Sequence, residues 1–196
     1  TILFRLMIAA VQWTWIGIPG ESIASHVATL PWYVIMAGPI CAGVMVGIGL
    51  HFFMPMNRTE SVSDVIEAAA LKGGHMSLKN GIMSAILTAI SLGGGASAGR
   101  EGPAVHLGAT ISAYAAKRFR FTPEWGRILL ACGVAGAVTA SFNAPIAGVL
   151  FAHEIVLRHY ALRAFVPVSI ASVAATAVTR IHLGNFPAFN LINHTI

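Results

Sequence analysis

Charge is what this sequence has least of. Only 10% of its 196 residues are Asp, Glu, Lys or Arg, where a soluble domain carries about 25%. Residues 30–57, 80–99, 102–116, 128–153 and 164–179 contain none at all. Apolar blocks of that length argue against a soluble domain and for an all-α, polytopic membrane protein. Cysteine is scarce as well. Cys41 and Cys132 lie far apart, each inside an apolar block, and are expected to be small buried apolar residues rather than a disulfide. A zinc motif of the H-E-x-x-H type fails, because Leu157 stands where His153-Glu154 would need its second His. Gly94 to Gly99 has the glycine spacing of a phosphate loop, but Arg100-Glu101 replaces the required Lys-Ser/Thr. No metal and no cofactor are expected. A signal-peptide pattern is missing too: Thr1 opens straight into an apolar stretch, so the chain is expected to be a fragment of a longer one.

What charge there is sits in short connections. The net +5 follows the positive-inside rule, which makes the lipid bilayer the partner and nucleic acid a poor one. Helices are expected over 2–18, 30–54 with a kink at Pro39, 80–92, 103–116, 125–141, 145–157 and 162–181. Gly17 to Ser25 reads as a connection, and Ser61 to Lys72 as a short helix stopped by Gly73-Gly74. Asn143 is expected to cap the helix that starts at Pro145.

The stretch Gly93-Gly94-Gly95-Ala96-Ser97-Ala98-Gly99-Arg100-Glu101-Gly102-Pro103 places an ionised pair between two apolar segments. Charge at membrane depth costs an estimated few kcal/mol per group and usually persists for function. The glycines end one helix, and Pro103 suits the first position of the next. Lys72 and Lys79 precede this in-and-out pair of segments, and Lys117, Arg118, Arg120 and Arg127 follow it, which puts both ends on the cytoplasmic side. The return leg 103–116 covers roughly 21 Å against a hydrocarbon core of roughly 30 Å. Glu101 is therefore expected part-way through the membrane, at a helix N-terminus suited to handling ions.

Gly99-Arg100-Glu101-Gly102-Pro103 resembles the G-[RK]-E-G-P motif of the CLC family of chloride channels and chloride/proton antiporters. Ser141-Phe142-Asn143-Ala144-Pro145-Ile146-Ala147-Gly148-Val149-Leu150-Phe151 is similar to a second segment of that family. The resemblance covers most of the chain, strongly from about residue 80 to 160 and weakly before 60. It implies the first inverted repeat of a CLC-type fold, with tilted and broken helices. It implies a homodimer in the cell membrane, in the bacterial inner membrane by its bacterial type. The whole of 1–196 would be one transmembrane region. The second repeat, with its G-x-F-x-P segment and coordinating Tyr, is missing from this chain and would lie elsewhere in the same polypeptide.

The resemblance also assigns roles. Glu101 would be the gating carboxylate, and chloride the substrate, held by Arg100 and the backbone of Gly102, Pro103, Ala104 and Val105. The family's central anion ligand is a Ser about forty residues earlier. An ungapped count puts Glu60 there, and a one-residue slip puts Ser61 there; a carboxylate is a poor anion ligand, so Ser61 is preferred. Proton-coupled members often carry a Glu where Ile155 stands here, so the usual internal proton handoff is absent. Glu101 and Glu154 are the proton-path candidates, though Glu154 could equally pair with Arg158 at i+4.

The expected activity is passage of chloride and other small monovalent anions, channel-like or weakly proton-coupled. The alternative within the family is an antiporter with an atypical internal proton path. The alternative of another class is a non-transporting structural or sensory membrane protein, with Arg100–Glu101 a structural ion pair. An intramembrane enzyme ranks last, because no nucleophile–base pair or metal spacing supports it.

Overall fold

The structure is a computed structural model, and it describes residues 1–17 and 30–184. Eight α-helices and one π-helical turn account for the regular structure of these residues, with no strand among them. They are α1 (Ile2–Ile16), α2 (Trp32–Phe53), α3 (Val62–Leu71), α4 (Leu78–Gly93), α5 (Glu101–Arg118), α6 (Pro123–Phe142), α7 (Pro145–Phe151), a π-helical turn (Ala152–Leu157) and α8 (Leu162–Leu183). Helices α2, α6 and α8 are long and apolar enough to cross a membrane. Nearly all of the expected connection Gly17 to Ser25 lies outside the described residues; Gly17 itself C-caps α1 in the left-handed conformation.

The core gathers on α6. Val65, Ala109, Leu130, Val134, Ala135, Val149 and Val168 form one cluster, drawing α3, α5, α7 and α8 onto α6. Phe4, Ala85, Ala89, Ala104 and Leu107 form a second, which seats α1 and α4 against the start of α5. Helices α5 and α6 approach until their backbones touch. A Cβ placed on Gly108 would lie 2.7 Å from the Gly133 carbonyl oxygen and 2.9 Å from Ala137 Cβ. Small residues permit such approach where lipid supplies no hydrophobic drive between helices.

Arg127, Arg158 and Arg163 gather at one end of the molecule. Gly74, in the turn after α3, sits against Gly126 at the start of α6: its Cβ would lie 2.8 Å from the Gly126 carbonyl carbon. Arg163 at the start of α8 pairs with Glu124 at 2.7 Å and lies over the Trp125 ring. The connections that flank α4 and α5 therefore meet at one end, as their charge predicts.

Three expectations are corrected. The fifth helix begins at Glu101 rather than Pro103 and runs to Arg118. Pro103 is its third residue, and its missing N–H costs nothing there because the first turn has no intrahelical acceptor anyway. With 18 residues this helix is about 27 Å long, so its shortfall against the hydrocarbon core is small. Asn143 is the C-cap of α6, and the N-cap position of α7 falls one residue later, on Ala144. Asn143 takes the left-handed conformation at φ 53°, and its Oδ1 accepts a hydrogen bond from Arg180 Nε at 3.3 Å. Cys41 is exposed rather than buried, and Cys132 is partly buried. Cys41 sits on α2, where only Ala42 and Gly49 are buried; an apolar helix facing lipid needs no protein to cover it.

Candidate ion-handling site

The break between α4 and α5 is built by local bonds. Trp15 of α1 donates from Nε1 to the Gly93 carbonyl at 2.8 Å, and the Gly94 amide closes on Ile90 O at 2.8 Å. Gly95 then turns the chain at φ 102°, a conformation that L side chains resist. The Ala96 amide returns to Ser91 O at 3.0 Å. The chain crosses to Arg100, the N-cap of α5. Helices α4 and α5 are thus discontinuous, with seven residues between them.

Glu101 is the first residue of α5, and its side chain is partly exposed on the surface of the described residues. Arg100 Nε lies 3.8 Å from Glu101 Oε1, a long contact between two half-exposed groups worth little as an ion pair. The carboxylate turns back over the loop: a Cβ on Gly99 would lie 3.1 Å from Glu101 Oε2. The Ala104 amide donates to Arg100 O at 3.3 Å, so the helical ladder starts there. Pro103 has no N–H. The amides of Glu101 and Gly102 are the first-turn donors that lie beyond the ladder, while Ala104 and Val105 are buried beneath them.

Ser61 is the N-cap of α3. Its amide donates to Asp64 Oδ2 at 2.8 Å, and its hydroxyl lies 3.0 Å from Ser63 Oγ. Arg58 clamps the same carboxylate with Nη2 at 2.6 Å from Oδ1 and Nη1 at 3.0 Å from Oδ2. That guanidinium holds Asp64 well down, to about 2, against partial burial and with help from the Ser61 amide.

Glu60, set aside in favour of Ser61, is the better-anchored residue. Its amide donates to Ser84 Oγ at 2.9 Å, and the Ser84 hydroxyl donates back to Glu60 O at 3.1 Å. Asn80 Nδ2 donates to Glu60 Oε1 at 3.2 Å. The other carboxylate oxygen, Oε2, stands 3.2 Å from His106 Nε2 on α5. His106 is 1% exposed, and no hydrogen bond of good direction reaches its Nε2. Sequence reasoning missed His106 as one of eight scattered His residues. The available signal was a lone imidazole inside an uncharged block, five residues after Glu101.

Glu154 is exposed in the π-helical turn. It forms no ion pair with Arg158: the wider π turn puts i+5, not i+4, above a residue, and Arg158 leaves the turn in the left-handed conformation. The preceding residue, His153, is fully buried. Its Nδ1 lies 2.9 Å from His159 O, and its ring stacks on Tyr160 and Phe165. Nothing here brings Glu154 to Glu101.

A bundle of whole and part-length helices, broken between α4 and α5 beside a carboxylate, is the architecture of a polytopic membrane protein. The family described as voltage gated chloride channel matches residues 42–196. The chain belongs to this CLC family, which is one of channels and transporters rather than enzymes. A ClcB-like chloride channel protein of Ralstonia nicotianae is 30% identical over 94% of this chain and 44% of its own length. Chloride channel protein CLC-f of Arabidopsis thaliana is 31% identical over 94% of this chain and 24% of its own length. The voltage-gated ClC-type chloride channel ClcB of Escherichia coli is 27% identical over 98% of this chain and 44% of its own length. Each relative is thus more than twice as long as the part it shares. The fold matches that of a slow cyanobacterial Cl−/H+ antiporter with a TM-score of 0.73, at 22% identity, over 99% of this chain and 47% of that one.

Proposed function

We propose that this chain is the first half of a chloride pathway in which Glu101 is the gate. The observation that carries the reading is the start of α5. A carboxylate stands on the first residue of a helix whose first-turn amides face out, after a seven-residue break. That end of the helix carries positive partial charge, which favours either the carboxylate or an anion that takes its place. Protonation removes the carboxylate's charge and frees the position. Chloride and other small monovalent anions are the substrates; the matched relatives' names and the family support that choice. Glu101 and Gly102 supply the nearest backbone donors, Arg100 a half-exposed cation, with Ala104 and Val105 as the floor.

The remainder of the pathway lies in a second repeat of the same polypeptide, and the protein works as a homodimer in a cell membrane, in the bacterial inner membrane by the kind of relative it matches. Ile155 leaves the internal proton handoff without a carboxylate at its usual place, which favours channel-like or weakly coupled passage.

The test is anion flux in proteoliposomes from the full polypeptide. Glu101→Gln is expected to give flux largely insensitive to external pH. Flux with unchanged pH dependence would end the gating role. A reversal potential that moves with the proton gradient would replace uncoupled conduction with antiport.

A further inference from the structure

We propose that Glu60 and His106 form a proton-binding dyad inside the membrane region, whose charge sets whether an anion is tolerated below Glu101. The transport consequence rests on the function proposed above; the proton site does not.

The dyad is held from three directions. Ser84 fixes the Glu60 backbone by two hydrogen bonds, and Asn80, one turn earlier on α4, fixes Oε1. That leaves Oε2 facing α5, 3.2 Å from His106 Nε2. The imidazole is buried, and its Nε2 finds no other partner. An imidazole nitrogen and a carboxylate oxygen at this distance are completed by one proton shared between them. Glu60 is 23% exposed while His106 is 1% exposed, so the carboxylate is the side from which the proton enters.

The position gives the dyad its consequence. His106 is five residues along α5 from Glu101, about 7.5 Å of rise, and α5 has ten more residues before its basic end at Lys117 and Arg118. The charges that bear on His106 are Glu60, Asp64 and Arg58. Arg58 and Asp64 neutralise one another through their own pair. Helix α4 carries no charge beyond Lys79, and α6 none between Arg127 and its end, where Cys132 is the titratable side chain. Helix α1, which packs against Ala104 and Leu107, carries Arg5. The dyad is therefore the charge that changes with pH along this length of α5. With the carboxylate ionised and the imidazole neutral it is net −1 and repels an anion. Taking one proton from water, with an O–H or N–H bond formed and no other bond broken, brings it to zero. Acid on the side that reaches Glu60 then admits the anion.

Two measurements test this on the full polypeptide, with Glu101→Gln as background so that Glu101 does not titrate. In infrared pH-difference spectra, a protonated-carboxyl band is expected that disappears in Glu60→Gln and shifts in His106→Asn. An unchanged band in both variants overturns the dyad. In proteoliposomes held at fixed external pH, flux is expected to rise by up to about tenfold per pH unit of acidification on the cytoplasmic side, the limit for one proton, and to become flat in Glu60→Gln. A pH profile that survives Glu60→Gln makes the pair structural and overturns its transport role. A protein that passes no anion at any pH removes the proposed function, while the infrared band still decides the proton site. If Glu60→Gln does not fold, His106→Asn carries both readouts.

Discussion

Replacing Asp64 by Asn tests how the entrance to α3 is held, and therefore what fixes Glu60 and Ser61 in place. Asp64 accepts the Ser61 amide and both terminal nitrogens of Arg58. The drop from the model-compound value of 3.8 to about 2 corresponds to about 2.5 kcal/mol at 1.36 kcal/mol per pH unit. Arg58 is half in water, so screening brings the working figure to about 1 kcal/mol. A carboxylate with a lowered pKa stabilises the folded state fully above its unfolded value. The contribution falls away as pH drops from about 4 to about 2. Asn keeps a capping oxygen but loses the charge. The wild-type protein in detergent is therefore expected to melt about 2–4 °C above Asp64→Asn at pH 7, with the gap closing by pH 2. Equal melting at pH 7, or a gap unchanged at low pH, would refute the assignment of that stability to the Arg58–Asp64 pair.

Gly108→Val is expected to cost about 1–3 kcal/mol, because the backbone carbonyl it meets is on α6 and cannot rotate away. Gly43→Val, where an added Cβ meets nothing within 4 Å, is the control expected to melt like wild type. Ser172→Ala is expected to cost about 1–3 kcal/mol. It removes the donor to Pro145 O and leaves the buried Thr139 hydroxyl without its partner at 2.6 Å; thermal unfolding reads the loss, and Ser172→Thr should restore part of it.

The helices were legible because lipid-embedded segments announce themselves by missing charge. Ends were less so: Glu101, not Pro103, opens α5, because a proline is tolerated anywhere in a first turn. Cys41 misled because lipid and protein core select the same residues, and composition does not say which of them α2 faces. The π-helical turn hid the fate of Glu154, since pairing at i+4 assumes an α-helix. The break at Gly93 to Arg100 was readable from glycine alone. The Glu60–His106 contact was not. It joins residues 46 apart in sequence through packing of α3's approach against α4 and α5, and no local spacing encodes that.

The glycine contact between α5 and α6 has its own consequence. Two backbones locked at touching distance move as a single girder, and the α7 helix is fastened to it: a Cβ on Gly148 would lie 2.7 Å from Ala135 O. Sliding α5 would require prying this girder apart, a collective event on microsecond or longer times. Rotating one side chain at its tip takes nanoseconds. Motion at the tip of this girder is therefore cheapest as torsion of a few single bonds, with the frame left at rest.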